Sequence, residues 1–136
     1  MKLSDIAVNA DAIELGRWVP IGHILPGVRL KVRGLENTDY RRLRNKLIAE
    51  IPRAERLKGV DTLTLEKINA QLLADTILVG WEGIEDEDDR LLPFTREKAS
   101  QIIHDPAFIV FRNAVEWAAG VVGEDDLVES EAASKN

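Results

Sequence analysis

The stretch that most constrains the fold is residues 75–84, an apolar run that carries a tryptophan between two glycines. Glycine readily takes positive φ, so Gly80 and Gly83 fit a helix C-terminus followed by a turn around Trp81. Five acidic residues follow at positions 85–89 and must be solvated, because a run of charges is too costly to bury. The sequence therefore predicts an apolar corner beside an acidic loop, which is a packing or docking pattern and not a catalytic one.

The length and composition fit a single globular domain. The chain has 136 residues, of which 45% are hydrophobic. It has no cysteine, which excludes disulfides, thiolate metal sites and cysteine nucleophiles and suits a reducing cytosol. No apolar run approaches the ~20 residues of a membrane-spanning helix, so we expect no membrane association. The first residues lack the apolar region of a signal peptide.

Charge is divided unevenly along the chain, beneath a net charge of −6. Residues 1–60 carry 12 Lys and Arg against 7 Asp and Glu, a balance of +5, whereas residues 61–136 carry 6 against 17, a balance of −11. This polarity favours head-to-tail self-association or an elongated partner. It does not fit a protein that coats nucleic acid with its whole surface.

A small β-hairpin is predicted at about residues 16–34. Residues 28–33 alternate apolar and basic side chains, which is the period of a half-buried strand, and a Pro-Gly turn precedes them. Two strands are rarely stable alone, so we expect this sheet to pack on helices or to pair with a second copy in a homo-oligomer. The residues predicted to mediate self-association are Trp18, Val28, Leu30 and Val32.

About four helices are predicted to follow, which gives a mainly helical α+β fold. Capping residues and helical spacing place them at about 38–50, 62–80, 95–104 and 106–121. Residues 1 to about 15 are expected to be a loose arm or an irregular edge, and residues 53–59 a charged connection. The chain would then form one domain over residues 1–122, followed by a disordered acidic tail at 123–136 that lacks the apolar content to order itself.

The candidate sites for chemistry are weak. A calcium loop that begins at Asp86 puts Glu97 in the twelfth position, but Leu91 then occupies the sixth, where glycine is required. His23 and His104 have no second histidine near them in the sequence. Phosphate-binding glycine motifs are absent too. We therefore predict no catalytic residue, no metal site and no cofactor, and expect a protein that is not an enzyme.

Binding surfaces are the better candidates. The basic face of the first predicted helix, with Arg41 and Arg44, could contact nucleic acid, but the pattern favours a solvated helix face. Trp81 either plugs the core or anchors a partner helix on a shallow aromatic shelf, and the sequence leaves both interpretations open. The predicted partner-binding residues are Trp81, Gly80, Gly83, Leu92, Phe94 and Phe108.

Five segments, taken in order and spacing, resemble the tail assembly chaperones of long-tailed bacteriophages and prophages. They are VRGL at 32–35, YRRL at 40–43, LVGWEGI at 78–84, LPFT at 92–95 and DPAF at 105–108. The resemblance spans about residues 15–120. It departs from the family in the acidic loop, where Asp88-Asp89-Arg90 stands in place of an Asp-Gly turn.

The resemblance implies a non-catalytic role in phage tail morphogenesis. Such chaperones bind the long, apolar, helical tape measure protein in the host bacterial cytoplasm and keep it soluble. They help to recruit tail tube protein and are absent from the mature virion. Two alternatives remain from the sequence: a structural head–tail connector or tail-terminator subunit, and a nucleic-acid-binding regulator that uses the basic helix.

Overall fold

The computed structural model describes residues 1–124, and a three-stranded sheet lies at its centre. Strands β1, β2 and β3 are Arg17–Pro20, Arg29–Val32 and Leu78–Glu82. They lie in the order β1-β2-β3 with antiparallel pairing on both sides, so β2 is the central strand. The predicted N-terminal hairpin is confirmed as β1 and β2.

Helices make up most of the rest of the described chain. The α-helices α1 to α6 are Ala10–Leu15, Thr38–Ala49, Arg53–Lys58, Thr62–Leu72, Arg96–His104 and Ile109–Val121. Three short segments of other helical type are Leu3–Asp5, Leu73–Ile77 and Pro106–Phe108. Leu73–Ile77 is a wider π turn that continues α4. The prediction of a mainly helical α+β fold is confirmed.

The prediction that the corner begins with a helix end at Gly80 is wrong. The chain leaves the π turn as an extended strand, β3, and Gly80 lies within it opposite Lys31 of β2. A Cβ on Gly80 would lie 3.5 Å from the ring of Trp18, which crosses the outer face of the sheet. The tightest contact of such a Cβ would be with the Lys31 Cβ, at 3.3 Å, so Gly80 lies at a crowded point of the sheet and not at a helix end.

Two segments predicted to be irregular are helical. Within residues 1–15, α1 begins at Asn9, whose side chain accepts a hydrogen bond from the Ala12 N–H at 3.0 Å. Within residues 53–59, α3 starts after Pro52 and ends at Gly59, which has φ +95°. Both helices have six residues, and local capping signals set their limits.

The core lies between one face of the sheet and the helices. Strand residues Val19, Leu30 and Val32 point inward and are at most 1% exposed, and α6 packs against β2. The buried side chains that α6 contributes include Phe111, Ala114, Val115, Ala118 and Ala119. Small residues on this face let α6 lie close to the strand.

A buried asparagine joins α2 to the π turn. The Asn37 Oδ1 atom accepts the Tyr40 N–H at 2.8 Å, which caps α2 as predicted. Its Nδ2 donates to the carbonyl oxygens of Gly34 at 2.8 Å and Thr76 at 3.0 Å. Asn37 has no exposed surface, and these three bonds satisfy its polar atoms.

The predicted domain boundary at residue 122 stays a prediction. Residues 125–136 of the predicted disordered tail lie outside the described residues. Within residues 1–124, no helix is long and apolar enough to cross a membrane.

Candidate partner-binding groove

The turn after β3 is held against the turn before β2. Gly83 has φ +86°, and a Cβ at this position would collide with the carbonyl oxygen of Gly27. Gly27 itself has φ +81° but faces open space. The close approach of these two backbones aims the following residues away from the sheet, so the predicted turn at Gly83 is present.

The acidic stretch after Gly83 forms a closed loop. Its ends are joined by a hydrogen bond from the Leu92 N–H to the Ile84 carbonyl oxygen at 2.8 Å. At its tip, the Asp86 carboxylate accepts from the N–H groups of Asp88 at 2.8 Å and Arg90 at 3.1 Å. The loop is thus shaped by its own backbone, and its acidic side chains face solvent.

The loop turns at Asp89, although it lacks an Asp-Gly pair. Its φ is +61°, in the left-handed region that glycine adopts most easily. Aspartate tolerates this conformation better than most residues. The loop therefore turns at Asp89 without a glycine.

Trp81 lies behind this loop and is 6% exposed. Its indole N–H donates to the Leu92 carbonyl oxygen at 2.7 Å. Its ring meets Phe94 and Phe111 edge-on, with centroids 4.9 and 6.1 Å apart. These contacts favour the interpretation of Trp81 as a core residue that supports the corner from within.

An open groove of about 340 Å³ lies between the acidic loop, α5 and the Pro106–Phe108 turn. We call it the corner groove. Its apolar lining consists of Ile84, Leu92, Ile102 and Phe108. Its polar lining consists of Glu85, Asp86, Glu87, Lys98, Gln101 and Asp105, all of which are exposed and so form the rim. The corner groove is an apolar surface with a predominantly acidic border.

The charges on this rim are poorly neutralised. Four carboxylates face one ammonium group, that of Lys98. Within residues 1–124, neither Glu85 nor Glu87 has an ion-pair or side-chain hydrogen-bond partner. Some charged groups elsewhere do: Arg29 pairs with Glu82, for example, at 2.9 Å. The rim therefore carries negative charge that the described part of the chain does not compensate.

The predicted partner-binding residues divide into three groups. Leu92 and Phe108 line the corner groove. Trp81 and Phe94 pack behind it, and Gly83 lies in the turn before the acidic loop, against Gly27. Gly80 is separate from it, since it lies in β3 under Trp18. Whether the corner binds a partner stays a prediction.

Outside the acidic loop, sequence reasoning missed five lining residues: Ile84, Lys98, Gln101, Ile102 and Asp105. Lys98 and Ile102 are four residues apart on α5, so they lie on one helix face. Asp105 follows Ile102 by three residues and caps the next turn by accepting the Ala107 N–H at 2.9 Å. That helical spacing was the signal that could have brought α5 into the predicted site.

The predicted self-association residues rest on a premise that the structure corrects. The prediction for Val28, Leu30 and Val32 requires an unpaired strand edge, but β3 pairs with β2 and covers that edge. Leu30 and Val32 have no exposed surface. Trp18 lies on the outer face of the sheet with the Arg29 guanidinium 5.2 Å from its ring centroid. Self-association stays a prediction, now without a contribution from Leu30 or Val32.

The other candidate residues of the sequence have local partners. His104 Nδ1 lies 2.8 Å from the Ser100 carbonyl oxygen, within one turn of α5. His23 meets the Trp117 ring edge-on, with centroids 4.4 Å apart. On the basic helix α2, Arg44 pairs with Glu36 at 3.3 Å. Among residues 1–124, no group of three or more histidine and acidic side chains is placed to hold a metal ion.

The described chain is a mainly helical α+β domain with an exposed apolar groove. A family model described as "YdaY prophage protein" matches residues 35–136, which is 102 of the 136 residues. The chain belongs to this family of prophage proteins. The match covers every element from α2 onward, and so includes the corner groove. Searches of curated proteins and of solved structures found no match.

Proposed function

We propose that this prophage protein is a tail assembly chaperone. In this role it is non-catalytic, binds the tape measure protein in the host cytoplasm and keeps it soluble. It also helps to recruit tail tube protein, and it leaves before the virion is complete. The observation that carries the proposal is the corner groove, because three of the five segments that resemble such chaperones (78–84, 92–95 and 105–108) meet there.

Exposed apolar surface beside the groove supports the proposal. Phe108, Ile109 and Val110 are consecutive and are 46%, 41% and 53% exposed. Contiguous exposed apolar residues usually mark interaction sites in soluble proteins. An amphipathic helix can bind such a surface through side chains spaced one turn apart. A long helical tape measure protein offers many segments of this kind.

Co-expression with the tape measure protein of the same prophage tests the proposal. We expect the tape measure protein to be soluble only when the chain is present, and to be recovered with it on affinity purification. The variant Phe108→Ser should reduce recovery at least about fivefold, since truncating an aromatic anchor typically costs ~1–2 kcal/mol of binding. The matched control is Leu63→Ser on α4, which removes another exposed apolar side chain, 63% exposed, outside the groove.

Insoluble tape measure protein in the presence of the chain, or equal recovery with both variants, would contradict the proposal. Purified phage particles separate it from the structural alternative. A chaperone is absent from them, whereas a connector or tail-terminator subunit is present in fixed copy number. Binding to duplex DNA that weakens steeply with salt would instead favour the nucleic-acid regulator.

A further inference from the structure

The rim of the corner groove is predominantly negative, which favours a positively charged partner. Glu85 and Glu87 are exposed and have no ion-pair partner within the described residues, and Asp86 and Asp105 add two more carboxylates. Lys98 is the one cationic side chain that lines the groove. A bound segment that placed further acidic groups here would be repelled, whereas lysine or arginine would be attracted.

The size of the groove limits what part of a partner enters it. Its volume of about 340 Å³ is at the lower end of the range of small-molecule pockets, about 300–1,000 Å³. It therefore accommodates a few apolar side chains and not a whole helix. A helix lying across the groove would insert its apolar stripe between Leu92 and Phe108, and the residues flanking that stripe would face the rim.

We infer that the corner groove selects helical segments whose apolar stripe is flanked by lysine or arginine. The inference rests on the proposed function for the identity of the partner, the tape measure protein, and specifies the chemistry of the segment that binds. The apolar lining provides affinity for any amphipathic helix, and the acidic rim discriminates by charge. Because exposed ion pairs are individually weak, discrimination requires several rim carboxylates together.

The acidic rim also disfavours pairing of two copies of the chain through their grooves. Two copies that met groove to groove would bring eight carboxylates together, four from each, and the repulsion would disfavour that contact. The apolar lining can thus stay exposed in free protein without causing pairing through this surface. A cationic helix relieves the repulsion, while a second acidic rim increases it.

Binding of labelled synthetic peptides to the intact protein, followed by fluorescence anisotropy, tests the inference. The peptides have about 18 residues, long enough for partial helicity in water, and share one leucine stripe at helical spacing. One carries lysine at the flanking positions and the other glutamate. We expect the lysine peptide to bind at least about tenfold more tightly at low salt. The preference should shrink at 1 M salt, where the Debye length is ~3 Å.

Two double variants test whether the rim carboxylates cause the preference for the lysine peptide. In Glu85→Lys/Glu87→Lys the preference for the lysine peptide should be lost or reversed. In the control Glu50→Lys/Glu66→Lys, which changes net charge equally at exposed positions outside the groove, it should persist. A third peptide, with lysine flanks but serine in place of the leucine stripe, should bind at least about tenfold more weakly than the lysine peptide, because it lacks the apolar anchors.

Equal binding of the lysine and glutamate peptides, an unchanged preference in the rim variant, or no peptide binding would each overturn the inference. Tight binding of the serine-stripe peptide would overturn it as well, since attraction would then be electrostatic alone. None of these outcomes would contradict recovery of the tape measure protein on co-purification, so the proposed function would still stand. Conversely, a charge-selective groove in a protein that fails to retain the tape measure protein would overturn the proposed function and leave the selectivity standing.

Discussion

Trp81 is held on three sides, by the Leu92 carbonyl oxygen and by the rings of Phe94 and Phe111. Trp81→Ala removes all three contacts and leaves a cavity, so we expect a loss of ~3–5 kcal/mol in the free energy of unfolding. A small domain is stable by only ~5–15 kcal/mol, so the variant should be largely unfolded or melt at much lower temperature. Thermal melting followed by circular dichroism measures the change.

Trp81→Phe is the matched control. It retains an aromatic ring and loses the hydrogen bond to Leu92, so it should cost ~1–3 kcal/mol and stay folded. If Trp81→Ala melted like the unchanged protein and yet bound the tape measure protein poorly, Trp81 would be an external anchor and not a core residue.

Gly83 and Gly27 share a left-handed backbone but differ in the space around them. Alanine at Gly27 incurs only the conformational cost, ~1–2 kcal/mol. Alanine at Gly83 also collides with the Gly27 carbonyl, which adds ~1–3 kcal/mol because a backbone must shift. Urea unfolding should therefore rank Gly83→Ala as the less stable variant. Equal midpoints would show that the two turns are not in contact.

At the scale of elements, Asn37 links two segments that are far apart in sequence. Asn37→Ala removes the α2 cap, at ~1 kcal/mol, and leaves the Gly34 and Thr76 carbonyl oxygens without this donor, at ~1–3 kcal/mol. We expect a total loss of ~2–4 kcal/mol in urea unfolding. Thr95→Ala, which removes an exposed cap of α5, should cost only ~1 kcal/mol. Similar losses in both variants would contradict a linking role for Asn37.

Elements with strong local signals could be predicted from the sequence. The helix after Asn37 and the hairpin around Pro26-Gly27 were found because capping and alternation are properties of neighbouring residues. Strand β3 was predicted as the end of a helix, because a short apolar run that follows a helix is equally compatible with helix and with strand. Its pairing with β2 depends on residues about 50 positions away, as in the Leu30–Trp81 pair. The Val79 and Trp81 side chains, both typical of strands, were the available signal.

The corner groove was predictable only in part. Leu92 and Phe108 could be proposed because they lie in conspicuous apolar segments of the sequence. Helical spacing puts Ile102 and Lys98 on one face of α5, but the surface that this face borders depends on how α5 packs beside the π turn. The acidic loop was correctly expected to be solvated, but the groove that it borders exists only in the assembled fold.

At the scale of the whole molecule, ion pairs compensate some of the positive charge in the first half of the chain. In the basic half, Arg33, Arg42 and Arg44 each lie within 4.0 Å of a carboxylate oxygen. In the acidic half, Glu85 and Glu87 are without such partners in the described chain. These pairs involve only part of the positive charge of this half, while Glu85 and Glu87 leave negative charge at the corner groove that the described chain does not pair. The charge close to the groove should therefore favour cationic partners.

The contribution of the C-terminal segment to the whole fold can be measured by two truncations. Ending the chain after Gly123 keeps Val122, which is 1% exposed, and the Gly123 carbonyl oxygen that accepts the Asn9 N–H at 2.9 Å. Since residues 124–136 include no aromatic side chain and few large apolar ones, we expect the melting temperature to stay within about 3 °C.

Ending the chain after Gly120 instead removes Val121, Val122 and the contact of Gly123 with Asn9. Loss of one buried valine alone costs ~1.5–3 kcal/mol, so this second truncation should melt at least about 5 °C lower. Differential scanning calorimetry on both proteins decides the limit of the folded unit. A loss of cooperative unfolding in the protein that ends after Gly123 would show that residues 124–136 are part of the fold. The domain would then extend beyond its predicted boundary.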